Sequence, residues 1–321
     1  MKYGVTVRLD RPLTEAAELA QRIESLGFDG VWLADHYFAR DAVAALTLMA
    51  ERTSRVTLGT AVVSPFLRHP ALLASATATV QEISGGRFIL GVGPGGFEFA
   101  TQLGMKIARP LGATKETVEI VRGLQRGVTD VHGTTFAVTQ ARLQFTAPAS
   151  PIYLAARGPK MLQLAGRIAD GVITHGLAKT HIDYVRSNVA TGSSDGRATS
   201  VVLMLDVEID ESRAAAVDRL RPRCITMAGG SYADELIEVY GLDRDDVTAL
   251  RTAVRAGREP ASMVTDEMVD GFCVAGPPGH VADRMAELRD LGVDEVILSV
   301  SPGDLDECTH YFTELAKAVL Q

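Results

Sequence analysis

The chain predicts an α/β fold, a parallel (β/α)8 TIM barrel with insertions, on three observations. Strand-like and helix-like segments alternate along nearly all of its 321 residues, with no Pro/Ser-rich linker between them. α/β barrels commonly run past about 250 residues, so one domain over 1–321 is expected. The strand segments are apolar at odd and even positions alike, residues 56–63 most clearly, as strands covered on both faces must be. Glycine and proline collect where strands end, as in Gly91, Gly93, Gly95 and Gly96 around Pro94. In parallel α/β proteins ligands sit at those carboxyl ends. An open doubly wound sheet would show Gly-x-Gly-x-x-Gly in its first βα turn, and this chain does not.

Residues 3–9 read as strand one. Residues 12–26 form a helix with Leu13, Ala16, Leu19, Ala20, Ile23 and Leu26 on one face, and Gly27 stops it. Strand two, 30–34, empties into Asp35-His36-Tyr37, and 41–52 is helix two. Strand three covers 56–63. Pro70 then fixes the first turn of a helix in which Leu72, Leu73, Ala76 and Val80 recur at helical spacing until Gly85-Gly86. Strand four is 88–92. A helix over 114–125 has Thr114 as its expected N-cap and Gly127 past its end. Residues 128–150 read as an excursion holding a small hairpin. Strands five to eight follow at 152–155, 171–174, 201–209 and 295–300. Helices open at Pro159 and cover 181–189, 281–291 and 305–319, and a charged, mostly helical insertion fills about 210–270.

The composition, 46% hydrophobic and 22% charged, suits a large core. A net charge of -8 argues against a nucleic-acid partner, while a local basic patch can still hold an anion. Cys224, Cys273 and Cys308 are odd in number and lack metal spacing, which points to reduced thiols in a cytoplasm. Met1 leads straight into a strand, and no apolar run reaches membrane-spanning length. A cytoplasmic protein without a membrane partner is therefore expected. His132, His181, His280 and His310 show no ligand spacing, so no metal site is expected. His69, before Pro70, reads as a loop or N-cap residue.

The candidate site residues lie at strand ends. A carboxylate at a barrel mouth, Asp35, can orient the imidazole of His36, which can donate to a ligand or relay a proton. The alternative is a pair that merely caps the following turn. Gly93, Gly95 and Gly96 would let backbone N–H groups approach a ligand, or would form a plain tight turn. Arg157-Gly158-Pro159-Lys160 opens a helix, where free N–H groups, the helix dipole and two cations suit an anion. Thr174, His175 and Arg40 face the same mouth, with structural roles as competitors.

Five segments carry a resemblance. They are Gly27-Phe28-Asp29-Gly30-Val31-Trp32-Leu33-Ala34-Asp35-His36-Tyr37, Leu58-Gly59 through Pro70, Gly85-Gly86-Arg87 through Gly95, Pro151-Ile152-Tyr153 through Gly171, and Phe272-Cys273-Val274-Ala275-Gly276. Together they resemble the bacterial-luciferase-like superfamily, and in order and spacing its branch containing the methylenetetrahydromethanopterin reductases. The resemblance implies hydride transfer between coenzyme F420 and a small organic substrate, by reduction of C=N, C=C or C=O or the reverse. It implies a non-prolyl cis peptide at Ala61-Val62, with Val63 and Ser64 beside it, behind the cofactor ring. It sets Asp35 and His36 against the ring as catalytic candidates, and Gly93, Gly95 and Gly96 beneath the ring or its linker. Arg157, Gly158 and Lys160 fall near the cofactor phosphate, a feature that F420 shares with FMN. Thr6, Arg40, Thr174 and His175 fall on the substrate side.

The chain departs from the pattern where substrate is bound. The methanopterin reductases carry a glutamate where this chain has Thr6 and an aspartate where it has Gly96. Related sugar-phosphate dehydrogenases carry a glutamate where it has Pro94, and a tryptophan near Arg40. Glu98 is the nearest acid that could substitute, and joins His36 and Asp35 as a catalytic candidate. Two other functions compete: an FMN-dependent monooxygenase served by a partner reductase and O₂, and a non-catalytic flavin- or deazaflavin-binding protein. A homodimer or homotetramer built on barrel-side helices is the expected assembly.

Overall fold

The structure is a computed structural model and describes residues 1–95, 102–193, 196–230, 232–258, 260–299 and 303–320. Its strands are β1 (Lys2–Thr6), β2 (Gly30–Leu33), β3 (Thr57–Thr60), β4 (Phe88–Val92), β5 (Val131–His132), β6 (Ala137–Val138), β7 (Ile152–Ala155), β8 (Gly171–Thr174), β9 (Ser200–Ile209), β10 (Cys273–Gly276) and β11 (Glu295–Ser299). Its helices are α1 (Leu13–Leu26), α2 (Ala42–Arg52), α3 (Pro70–Ile83), α4 (Pro110–Gln125), α5 (Pro159–Ile168) and α6 (Lys179–Gly192). They continue as α7 (Arg213–Ala228), α8 (Glu235–Val239), α9 (Arg244–Arg255), α10 (Asp266–Phe272), α11 (Pro278–Asp290) and α12 (Leu305–Val319).

Eight parallel strands close in the order β1-β2-β3-β4-β7-β8-β9-β11 and back to β1, the expected barrel. β9 is long because three neighbours share it. Ser200–Leu203 pairs with β8, Val202–Asp206 with β11, and Asp206–Ile209 with β10. β10, CVAG, was not expected as a strand. The insertion, α7 to α10, packs a second apolar cluster around Leu220, Leu250 and Phe272 that runs into β10 at Cys273. The excursion does hold a hairpin, β5 against β6.

Several boundaries move. Strand one ends at Thr6 rather than residue 9, and the helix expected over 181–189 runs from Lys179 to Gly192. Strand three ends at Thr60 rather than residue 63, where a cis peptide joins Ala61 to Val62. α4 begins at Pro110, not Thr114. Proline at the first helical position has its φ set in advance, and Thr114 is instead buried in the helix's second turn. His69 is the N-cap of α3, its Nδ1 accepting from the Ala71 N–H at 3.2 Å.

The lumen is filled by one large ring. Trp32 points inward from β2, fully buried, and stacks on Tyr153 from β7 with centroids 6.0 Å apart. Neighbouring strands make room by having no side chain. A Cβ on Gly59 would lie 2.3 Å from the indole, one on Gly4 2.5 Å from it, and one on Gly171 2.7 Å from the Tyr153 ring. The indole N–H donates to Glu295 Oε1 at 3.0 Å. Adding a methyl at Gly59 should therefore destabilise the fold by about 1–3 kcal/mol, the usual cost of overpacking. Trp32 is the chain's one tryptophan, so denaturant unfolding of Gly59→Ala followed by tryptophan emission reads this directly. Unchanged stability would show that the indole can move aside.

Candidate active site

Side chains alternate along each strand, so the inward set follows from Trp32, Ile173, Val202 and Ile297, which share the lumen cluster. One step further along each strand lies the mouth, and it divides in two. On β2, β3, β4 and β7 the inward positions at or just past the strand ends are Ala34, Ala61, Gly93 and Ala155. On β8, β9, β11 and β1 they are His175, Asp206, Ser299 and Thr6. One arc is small and apolar; the other is polar.

The apolar arc is closed by backbone. Alternation breaks at the cis peptide, so the consecutive residues Ala61 and Val62 both pack on the lumen cluster. The Val62 carbonyl accepts from the Asp35 N–H at 3.3 Å, and the Val63 carbonyl from Gly93 N–H at 3.0 Å. A Cβ on Gly93 would lie 2.7 Å from that of Ala155 and 2.9 Å from Val62 Cγ2. Only glycine there lets β4 lie this close to its neighbours. Ser64 is buried, and its hydroxyl donates to the Pro94 carbonyl at 3.2 Å, tying two mouth loops together. Gly95 adopts φ 74°, the left-handed region. Gly96 and Glu98 lie outside the described residues. The wall has no side chain larger than valine, and it suits the flat face of a planar ring system.

The Asp35 carboxylate is hydrogen-bonded to Arg68 rather than to His36. Both Asp35 oxygens are engaged by Arg68, from Nε at 3.2 Å and Nη2 at 3.4 Å, and Arg68 also donates to Asp41 at 2.6 Å. The expectation that Asp35 fixes the His36 tautomer gives way to an Asp35–Arg68–Asp41 network that fixes the loop. Asp41 is also the N-cap of α2, accepting from the Ala44 N–H. His36 stands exposed at the rim beside the apolar arc.

The helix start at Arg157 separates its two cations. Gly158 is the N-cap of α5 and has no side-chain cap bond, and Lys160 is exposed there. Arg157 reaches away to the insertion, its guanidinium 5.9 Å from the Tyr232 ring centre. Arg40, exposed at the rim, donates to the Leu9 carbonyl at 3.1 Å. Thr174 is corrected: Ile173 faces the lumen, so Thr174 faces the helical layer and is fully buried.

Burial sets the charges. The His175 Nδ1 donates to the Met204 carbonyl at 2.8 Å, leaving Nε2 as an acceptor. Burial, with the Arg157 charge, pushes its pKa down to about 3, so the ring is neutral. Asp206 and Ser299 were absent from the expected site. The signal was present: β9 reads SVVLMLDVEI, and a carboxylate inside a buried strand is a costly choice. Arg223 from α7 ion-pairs with Asp206 and donates to the Ser299 hydroxyl at 2.9 Å. Burial nonetheless holds the Asp206 carboxyl above its ordinary pKa.

Comparison with known proteins fits this geometry. The sequence profile described as luciferase-like monooxygenase matches residues 2–295. The chain belongs to this family. The 5,10-methylenetetrahydromethanopterin reductase of Methanolobus tindarius is 33% identical over 305 residues, 92% of this chain and 93% of that one. The enzyme of the same name from Archaeoglobus fulgidus is 34% identical over 308 residues, 92% of each chain. Among solved structures, coenzyme F420 dependent tetrahydromethanopterin reductase from Methanopyrus kandleri superposes with a TM-score of 0.87 at 26% identity. The match covers 99% of this chain and 98% of that one. No helix among the described residues is long and apolar enough to cross a membrane.

The floor beneath the mouth carries a titratable group. Burial raises the Glu295 carboxyl to about pKa 7 from 4.5, with the Trp32 N–H opposing. Folded chains thus keep this proton up to about pH 7, unfolded chains only to about 4.5. Its contribution to stability is full below the unfolded value and is lost as pH rises through the folded one. Glu295→Gln keeps an acceptor for the indole. It should equal wild type near pH 4.5 and gain up to roughly 3 kcal/mol by pH 8, at about 1.36 kcal/mol per pH unit. A stability difference that does not change with pH would show that Glu295 ionises freely.

Proposed function

We propose that the chain is an F420-dependent oxidoreductase moving a hydride between the deazaflavin and a small organic molecule bearing C=N, C=C or C=O, or the reverse. The observation that carries the reading is the full-length match to a coenzyme F420 dependent reductase at TM-score 0.87. The local geometry supports it. The wall from Ala34 through Ala61-Val62 to Gly93 and Ala155 offers one face of a tricyclic ring an apolar surface. His175, Asp206, Ser299 and Thr6 leave hydrogen-bonding groups for what lies on the other side.

When bound, the cofactor supplies a hydride donor or acceptor at its ring. The protein's part is orientation and proton handling. Ala61, Val62 and Gly93 would back the ring. The Asp35–Arg68–Asp41 network fixes the loop that presents His36 to it. The first turn of α5, with Lys160, is the proposed seat of the phosphate-bearing tail. Thr6, Arg40 and His175 belong to the substrate half.

FMN is the second reading for the same wall, since it is also a planar tricycle with a phosphate. The solved structure that superposes at TM-score 0.87 is coenzyme F420 dependent by name, and this favours F420. A homodimer or homotetramer belongs to the same proposal: Leu72 on α3 is 71% exposed, a large apolar side chain on a barrel-side helix.

Titration followed by cofactor fluorescence anisotropy tests the reading. F420 should bind at micromolar concentration or below, and FMN at least about tenfold more weakly, about 1.4 kcal/mol. His36→Ala should weaken F420 by about tenfold, the worth of one hydrogen bond. Tighter binding of FMN than of F420 would replace this reading with the monooxygenase one.

A further inference from the structure

The polar arc contains a carboxyl group to which the preceding reading gives no part in proton transfer. Asp206 on β9 is the register partner of Ser299 on β11. Gly4 pairs with Ile297, which places Thr6 and Ser299 one inward step further in the same row. Thr6, Ser299 and Asp206 therefore stand side by side on three neighbouring strands, above the Trp32 floor. Within that row the carboxyl is the one ionisable side chain, Thr6 and Ser299 carrying only hydroxyls.

The surroundings hold this carboxyl in place. Arg223 reaches in from α7 to Asp206 and to the Ser299 hydroxyl. Arg8 adds charge from the segment after β1, and the Cys273 thiol faces Asp206 from β10. Glu208, two residues on, is paired with Arg219 instead. Burial outweighs the Arg223 charge and keeps the Asp206 proton on to higher pH than an ordinary carboxyl. His175, on the adjacent strand, cannot fill the role: it is neutral, and its Nδ1 proton is committed to Met204. His36 stands across the mouth on the apolar side.

We infer that Asp206 is the acid–base residue of the substrate half, contacting the heteroatom of a C=O or C=N substrate; this rests on the hydride-transfer reading above. In the reducing direction the substrate carbon gains a hydride, one hydrogen with two electrons, from the reduced cofactor, which is oxidised. The π bond to the heteroatom breaks, and its electron pair takes the proton of the Asp206 carboxyl. The carboxylate left behind faces the Arg223 guanidinium and regains a proton from water at the mouth. In the oxidising direction Asp206 accepts the proton of the alcohol or amine.

The test has three arms on the full chain. F420 titration of wild type comes first; absence of binding overturns the functional reading, and this inference with it. Next, carboxyl-13C-aspartate NMR follows Asp206, assigned by its loss in Asp206→Asn or, should that variant not fold, in Asp206→Glu. Its titration should fall above the ordinary carboxylate value of about 3.9 and move when F420 is added. Titration at or below that value, or indifference to F420, overturns the inference while leaving the cofactor reading intact. Third, wild type and Asp206→Asn are assayed with reduced F420 and acetone, 1-pyrroline or cyclohex-2-enone. The variant should lose about 10²–10⁴ in kcat, the usual worth of a positioned acid, with its F420 Kd within about threefold of wild type. Retained kcat overturns the inference. If wild type turns over none of the three, the NMR result decides.

Discussion

Trp32 occupies the barrel lumen at a place where three neighbouring backbones must give up their side chains. Gly4, Gly59 and, behind the stacked tyrosine, Gly171 are the residues that do so. The indole then needs one acceptor for its N–H, and the interior supplies Glu295. The energetic consequence is a buried carboxyl that stays protonated to about pH 7. The architectural consequence is a floor. The mouth residues are those one inward step beyond Trp32, and Thr6 and Ala61 among them are themselves buried. A smaller residue at position 32 would deepen the lumen and remove the reference plane from which both arcs rise.

Above that floor the barrel distributes its chemistry by strand. Four consecutive strands present alanine or glycine, and the other four present threonine, serine, aspartate and histidine. Charge follows the same division. The carboxylate beside the apolar arc, Asp35, is consumed by Arg68, so it shapes the loop and leaves the wall apolar. The carboxyl in the polar arc, Asp206, stands in the lumen row and is ion-paired to Arg223 from α7. An aromatic cofactor and a polar reactant make opposite demands on their surroundings. A mouth split this way meets both at once.

The fold was legible because its signals are long and repeated. Eight apolar strands alternating with helices leave few alternatives to a barrel, and Pro70, Pro159 and the glycine stops mark helix ends by local sterics. The cis bond at Ala61-Val62 was readable only through family resemblance, since composition favours an ordinary strand end. The site was half legible. Strand-end residues such as His36, Gly93 and His175 could be listed, but not their partners. Arg68 lies 33 residues beyond Asp35, and nothing local pairs them. Thr174 was misplaced by one position, enough to turn a side chain from the lumen to the helical layer. Asp206 is not at a strand end, because β9 continues past the mouth to pair with β10.

The central claim is that the planar cofactor lies across the apolar arc, directly above Trp32. As the one tryptophan in the chain, Trp32 reports on that position without any label. Tryptophan emission should be quenched saturably as F420 is added, with the same Kd that F420 anisotropy gives. The quenching should vanish in Trp32→Phe, which retains an aromatic floor. If F420 binds by anisotropy while Trp32 emission stays unchanged, the cofactor sits elsewhere and the two-arc description of the mouth is wrong.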